Sequence, residues 1–312
     1  MSSRRQFLAH SAVLGLLLSG RTAGARTPAS MQTRAIPSSG ELLPVIGMGT
    51  SGSFEVGDGP AVRGALGEVL KNFLDGGARL IDTAPSYGTA ESVLGDLLVA
   101  QTAHKRCFLA TKLSSSGRTA GLAQFAASLD RLKTDKVDLL QVHNLRDWRT
   151  QLALARELRE QGKVRYVGLT HYVDSAHAEL AEAVSAERPD FLQINYSVTQ
   201  RAAEERVFPV AREHGVAVLA NRNFDDGALF SKVADRPLPA FASEVGATTW
   251  AQLFLKFALS HAAVTLNPSV WSSGRRFLKF PVLRQINDLR YGFMESFRSK
   301  LHTGPEPLRS PL

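Results

Sequence analysis

Cysteine is almost absent from this chain: Cys107 is the only one in 312 residues. That excludes an intrachain disulfide in any compartment, and with it any metal centre built on several thiolates. No metal site is expected. Also missing is an apolar run long enough to cross a bilayer, which takes about 20 residues. The most apolar N-terminal stretch runs only from Ala12 to Leu18, so no stable membrane span is expected in the mature form. No Gly-x-Gly-x-x-Gly follows the first apolar run of the body, where Gly47-Met48-Gly49-Thr50 comes closest, which argues against a Rossmann dinucleotide domain. Acidic residues are lacking from the first 34 positions.

That last absence accounts for much of the net charge of +8. The first 34 residues carry Arg4, Arg5, Arg21, Arg26 and Arg34, and residues 265–312 carry eight basic against three acidic side chains. The body between them, 35–264, holds 24 basic and 26 acidic residues and is close to neutral. A groove for DNA or RNA needs its charge in the folded body, so nucleic acid is not an expected partner. With 44% hydrophobic residues the chain has material for a large core, which excludes wholesale disorder.

The N-terminus reads as an address. Ser3-Arg4-Arg5-Gln6-Phe7-Leu8 precedes the apolar run, and the small residues Ala23-Gly24-Ala25 follow it. This is the three-part layout of a secretory signal, and the paired arginines resemble a twin-arginine export signal. Residues 1–25 are therefore expected to be a removable signal read by the twin-arginine machinery, with a periplasmic or otherwise exported product. Residues 26–40 are expected to be a linker.

From about residue 40 strand-like apolar runs alternate with helical stretches. The runs are Leu43–Met48, Arg79–Asp82, Phe108–Lys112, Val137–His143, Val164–Thr170, Phe191–Tyr196, Val216–Asn221 and Ala263–Leu266. Helical patterns cover Val62–Leu74, Ala90–Val99, Gly121–Leu132, Thr150–Gln161, Ser175–Ala186 and Ala202–His214, several ending at Gly76-Gly77, Gly162 or Gly215. Strand–helix alternation implies a parallel sheet, and continuously apolar runs imply strands buried on both faces. Eight such units fit an α/β fold, a single-domain (β/α)8 TIM barrel over residues 41–266, better than an open sheet. Residues 267–312, with five prolines and many arginines, are expected to form an atypical C-terminal segment.

Four polar residues sit where a barrel places its chemistry, at or beyond the C-terminal ends of neighbouring strands. Asp82 ends the second run, Tyr87 follows in the same loop, Lys112 ends the third run and His143 the fourth. Singly, each has an ordinary structural explanation: a turn cap, a packing ring, a solvated amine, a hydrogen-bonded histidine. Together on three successive strands they point to one catalytic mouth.

Asp82-Thr83-Ala84-Pro85-Ser86-Tyr87-Gly88-Thr89-Ala90-Glu91 resembles the signature of the aldo-keto reductase family, and Gly47–Thr50, Thr111-Lys112 and Leu139–His143 match it in order and spacing. The resemblance runs from about residue 40 to 266. It implies a barrel that reduces aldehydes or ketones with NADPH, NADH remaining open. Tyr87 would be the general acid, its acidity helped by the cation of Lys112, with Asp82 holding the lysine and His143 orienting a small-molecule carbonyl substrate. Cofactor contacts implied by the resemblance fall on Thr50, Asp82, Thr170, His171, Gln193 and Asn221. Thr170-His171 stands where Ser-Asn is commoner, Asn221 stands where an aromatic stacks on the nicotinamide, and Gln193 fits equally well as a filler of barrel-interior hydrogen bonds. Beyond residue 266 the family's phosphate-binding turn has no clear counterpart; Arg275 and Arg276 are the basic candidates. The alternative is a non-catalytic barrel that binds a ligand or partner and has lost nicotinamide; an oxidative role on alcohols or sugars is the third reading.

Overall fold

The computed structural model describes residues 31–270. The signal at 1–25, the arginines Arg275 and Arg276, and the rest of the C-terminal segment lie outside the described residues. The chain folds as one (β/α)8 domain. Eight parallel strands close in sequence order: β3 (Ile46–Gly49), β4 (Leu80–Asp82), β5 (Phe108–Leu113), β6 (Val137–Val142), β7 (Val164–Thr170), β8 (Phe191–Asn195), β9 (Ala217–Asn221) and β10 (Val264–Val270), which returns to pair with β3. Around them run α1 (Pro60–Asp75), α2 (Ala90–Ala100), α3 (Arg118–Leu132), α4 (Trp148–Glu160), α5 (His177–Glu187), α6 (Val207–Glu213), α7 (Ala228–Lys232) and α8 (Trp250–Ser260).

The strands are buried on both faces, for two different reasons. Outward residues such as Leu109, Leu113 and Leu140 pack under the helices in one large apolar cluster. Inward residues form a second cluster, with Leu80, Phe108, Ala110, Leu139, Tyr166, Phe191, Ala217, Leu219 and Leu266 filling the lower barrel. Side chains alternate with period two, so each inward row can be followed upward. Leu80 leads to Asp82, Phe108 and Ala110 to Lys112, Leu139 to Gln141, Tyr166 to Thr170, Phe191 to Gln193, and Leu219 to Asn221. The interior is apolar below and polar at the mouth, and this gradient positions the site.

Three boundaries differ from the sequence pattern. Residues 33–44 are not linker followed by barrel strand. They form a hairpin, β1 (Thr33–Ala35) paired antiparallel with β2 (Leu42–Pro44), that sends Ile36 and Leu43 into the inner cluster and plugs the barrel floor. The run Leu43–Met48 is continuously apolar because it serves both hairpin and barrel, so nothing in hydrophobicity marks the break. The last strand also runs beyond residue 266: Asn267 pairs with Ile46 and Val270 with Met48. Pro268 fits there because β3 offers glycine. A Cβ on Gly49 would stand 2.9 Å from the Pro268 carbonyl oxygen, closer than packing allows. Finally, α8 is a helix that no periodic pattern announces. Its residues are buried nearly all round, so no amphipathic stripe exists, although Thr249 and Gln252 form a capping box at its start.

Candidate active site

Thr50, Asp82, Tyr87, Lys112, His143, Thr170, His171, Gln193 and Asn221 all line one cavity of about 580 Å³ at the C-terminal mouth of the barrel. The sequence positions spread over more than 170 residues, and strand pairing in sequence order gathers them.

At the centre lies a buried ion pair. Lys112 Nζ stands 2.8 Å from each carboxylate oxygen of Asp82 and 2.8 Å from the Thr83 carbonyl oxygen. Lys112 is 2% and Asp82 4% exposed, so neither charge is hydrated in the usual way. Such a pair is tolerable only when further hydrogen bonds satisfy the remaining lone pairs. Two amides do this: Gln141 Nε2 donates to Asp82 Oδ1 at 3.2 Å and Gln193 Nε2 to Oδ2 at 3.0 Å. Gln193 thus serves the interior network with its nitrogen, while its Oε1 is buried with no partner. Gln141 was not among the expected site residues. It stands two residues before His143, on the inward row, and that parity is the signal that would have found it. Gly168 makes room for it: a Cβ there would press within 3.0 Å of both Gln141 Cγ and the Phe191 carbonyl oxygen.

Burial alone would lower the Lys112 pKa. The Asp82 carboxylate and the Tyr87 phenol outweigh it and raise the value, so the amine stays charged. Lys112 Nζ lies 5.0 Å from the Tyr87 ring centroid. The expected easing of the phenol by this cation is not the net result. Burial pushes the Tyr87 pKa up, Lys112 pulls it down, Asp82 pushes it up again, and the balance is upward.

His143 stands edge-on to Tyr87, ring centroids 5.8 Å apart at 86°. Burial, then the charge on Lys112, pushes its pKa down to about 4, so the imidazole is neutral at ordinary pH. Ser114 Oγ lies 2.9 Å and Ser86 Oγ 3.3 Å from its Nδ1.

The opposite wall is built by β7, β8 and β9. His171 Nδ1 accepts the backbone N–H of Tyr172 at 3.0 Å and of Val173 at 3.3 Å. A backbone N–H cannot accept, so the ring proton of this histidine sits on Nε2. Burial is the main cause of a lowered His171 pKa, which keeps that tautomer neutral. Thr170 Oγ1 accepts the Asn144 N–H at 3.1 Å. The Asn221 Oδ1 is buried without a partner. Thr50 is turned inward, donating its hydroxyl to Thr83 Oγ1 at 2.8 Å. At the rim Arg222, missed by the sequence reading, pairs with Asp226 and lies 5.2 Å over the Tyr172 ring. Among the described residues no group of three or more metal-ligating side chains comes together.

Known proteins resemble this chain over half of its length or more. Aldo-keto reductase YhdN of Bacillus subtilis is 29% identical over 188 residues, 54% of this chain and 54% of its own, so the match spans about half of that relative. The NADH-specific methylglyoxal reductase of Escherichia coli is 27% identical over 61% of this chain and 68% of its own. Methylglyoxal reductase YeaE of the same organism is 28% identical over 76% and 85%. Among solved structures, an aldo/keto reductase of Klebsiella pneumoniae in complex with NADP and acetate shares the fold with a TM-score of 0.69 at 22% identity, over 90% of this chain and 98% of that one. The model of the aldo/keto reductase family matches residues 45–270, the barrel from its first parallel strand to its last, and this chain belongs to that family of oxidoreductases.

Proposed function

We propose that the protein is an exported reductase of aldehydes or ketones that takes hydride from NADPH, with NADH as the alternative donor. The observation that carries the reading is a phenol, a lysine–aspartate pair and a neutral imidazole set around one cavity in a barrel mouth.

The far wall of that cavity suits a nicotinamide. Thr170 retains its hydroxyl proton and His171 its Nε2 proton, while Gln193 Oε1 and Asn221 Oδ1 are acceptors without partners. Two donors and two acceptors match the carbonyl oxygen and the amino group of a primary carboxamide. Thr50 and Asp82 border the same space. When bound, the nicotinamide supplies the hydride.

The chain's own residues handle the proton. Tyr87 donates to the carbonyl oxygen as it becomes an alkoxide, and burial ensures that the phenol holds a proton to give at neutral pH. Lys112 meets the phenolate left behind with a fixed positive charge, and Asp82 keeps Lys112 charged and in place. His143 hydrogen-bonds the same oxygen and so orients the carbonyl for attack. The reverse reaction, oxidation of an alcohol, uses the same groups. The Escherichia coli relatives named as methylglyoxal reductases, one of them NADH-specific, support carbonyl reduction and keep both nicotinamides in view.

Titration of the purified protein with NADPH and with NADH by fluorescence tests the reading, followed by turnover of a small aldehyde. Saturable binding of either cofactor with turnover supports it. No binding of either would overturn it in favour of a barrel that holds a ligand or partner without catalysis. Export rests on Arg4-Arg5 ahead of Phe7-Leu8 and the short apolar run. Replacing both arginines with lysine keeps the charge and removes the pair, so the precursor should stay in the cytoplasm; unimpaired export would count against the twin-arginine route.

A further inference from the structure

His143 has a nitrogen that the proposed chemistry does not use. Its Nδ1 faces away from the reacting carbonyl in that reading, towards two hydroxyls: Ser114 Oγ at 2.9 Å and Ser86 Oγ at 3.3 Å. Ser114 follows directly on β5, two residues after Lys112, and is anchored from outside the barrel, because its backbone N–H donates to Gln124 Oε1 of α3 at 2.7 Å. The hydroxyl is therefore delivered from a fixed point on the same strand end that carries the lysine.

A neutral imidazole has one proton for two nitrogens, and which nitrogen carries it decides what the ring can do. With the proton on Nδ1, the other nitrogen would be an acceptor and would compete with the substrate oxygen for the Tyr87 proton. With the proton on Nε2, the ring donates to that oxygen alongside the phenol. His143 is neutral over the ordinary pH range, so the choice is real. Ser114 Oγ has His143 Nδ1 as its only hydrogen-bond partner among the described residues. Donation from the hydroxyl into the Nδ1 lone pair satisfies both atoms. The reverse arrangement leaves the half-buried hydroxyl proton with no protein acceptor and spends the single imidazole proton on the wrong side.

We infer that Ser114 is a positioning residue that selects the Nε2-protonated tautomer of His143, with Ser86 as a weaker second donor, so that the imidazole acts as a hydrogen-bond donor to the substrate oxygen. The kinetic part of this inference rests on the reductase reading. The tautomer part stands on the geometry alone.

Long-range proton–nitrogen correlation spectra on the full chain with isotopically labelled histidine test it, the His143 signals being identified by their loss in His143→Asn. The wild type should show a protonated Nε2 and a hydrogen-bonded acceptor Nδ1. Ser114→Ala should move both shifts towards a tautomer mixture, Ser114→Thr should restore them, and Ser86→Ala should change them less. For an aldehyde substrate, Ser114→Ala should lower kcat about three- to tenfold, the loss of one hydrogen bond's bias, while leaving NADPH affinity unchanged. Threonine should recover the rate. A protonated Nδ1 in the wild type overturns the inference, as do His143 shifts unchanged in Ser114→Ala. If the spectra behave as expected and no variant, wild type included, turns over a carbonyl, the tautomer assignment stands and the reductase reading is the one that fails.

Discussion

The two halves of the barrel mouth are made differently. On the side of β4, β5 and β6 the charged groups and the imidazole are committed, although Gln141 Oε1 is buried without a partner: Asp82 accepts from Lys112, Gln141 and Gln193, Lys112 also reaches Thr83, and His143 is held by serine hydroxyls. On the side of β7, β8 and β9 the wall presents groups with capacity to spare, with Gln193 Oε1 and Asn221 Oδ1 buried and unpaired. The closed half also follows the family signature residue by residue, and the open half departs from it at Thr170, His171 and Asn221. Proton transfer demands a phenol beside a cation, and few residue types can substitute. Holding a carboxamide demands only donors and acceptors at workable distances, which many side chains supply. Residue identity is tied to chemistry on one side and to complementarity on the other.

Breaking the closed half should have the largest effects. Tyr87→Phe removes the proposed proton donor and leaves the shape, so kcat should fall by about a hundredfold to ten-thousandfold, the range for general acid catalysis, with NADPH affinity unchanged. Steady-state kinetics with a parallel cofactor titration would show it, and wild-type turnover would remove Tyr87 from the role. Lys112→Met leaves the Asp82 carboxylate buried without its cation. Removing one partner of a buried pair costs about 3–5 kcal/mol, so the urea midpoint should drop steeply. The double variant Asp82→Asn with Lys112→Met should regain most of that stability without regaining activity, which separates the pair's structural cost from its chemical use.

How much of this was readable beforehand follows the same division. The inward rows Leu80–Asp82 and Phe108–Lys112 end in polar residues that stand out from apolar runs, and strand order alone brings them together. Gln141 was not singled out because, as an amide inside a run that also ends in His143, it carries no charge to mark it. Ser114 lies two residues beyond the apparent strand end at Lys112 and looks like any loop serine. At the floor, the break between hairpin and barrel at Val45 is invisible because β2 and β3 are both apolar, for different partners. At the end of the chain, Asn267-Pro268 looks like a strand terminator, yet β10 continues because Gly47 and Gly49 leave the proline room. Whether those glycines are compatible with a proline depends on a contact between the first and last strands of the barrel, more than 200 residues apart.

A pH experiment sharpens the contrast at smaller scale. His143 has an ordinary value of 6.5 when unfolded and about 4 when folded, so between those values the unfolded chain binds more protons than the folded one. Stability therefore rises with pH across that window and is lost as pH falls from 6.5 towards 4. One such group changes stability by at most about 1.4 kcal/mol per pH unit, and partial exposure of the ring reduces the whole effect to about 1–2 kcal/mol. Urea midpoints measured at neutral and mildly acid pH should differ less for His143→Asn, which has no proton to gain, than for the wild type. An identical acid loss in the variant would mean that the imidazole is not the group responsible. His171, whose Nδ1 is engaged by two backbone N–H groups, adds a second contribution of the same sign on the open half.

The smallest expected effect is the one that bears most directly on the open half. Asn221 ends β9, its Oδ1 is buried without a partner, and it lines the cavity. If that oxygen accepts a hydrogen bond from the nicotinamide carboxamide, Asn221→Leu removes one neutral hydrogen bond at nearly constant size. Such a bond is worth about 1 kcal/mol net, so the dissociation constant for NADPH should rise about fivefold, and that for NADH equally, because the change is far from the 2′-phosphate that distinguishes them. Asn221→Phe loses the same bond but offers a ring face to the nicotinamide, so it should bind more tightly than the leucine variant. In the absence of cofactor, Asn221→Leu should be no less stable than the wild type, because an unpaired buried acceptor is replaced by an apolar group. Weakened cofactor binding with undiminished stability would identify the open wall as built for a ligand. Unchanged binding with raised stability would mean that the unpaired oxygen is not used by nicotinamide, and the carboxamide would then have to be held by Thr170, His171 and Gln193 alone.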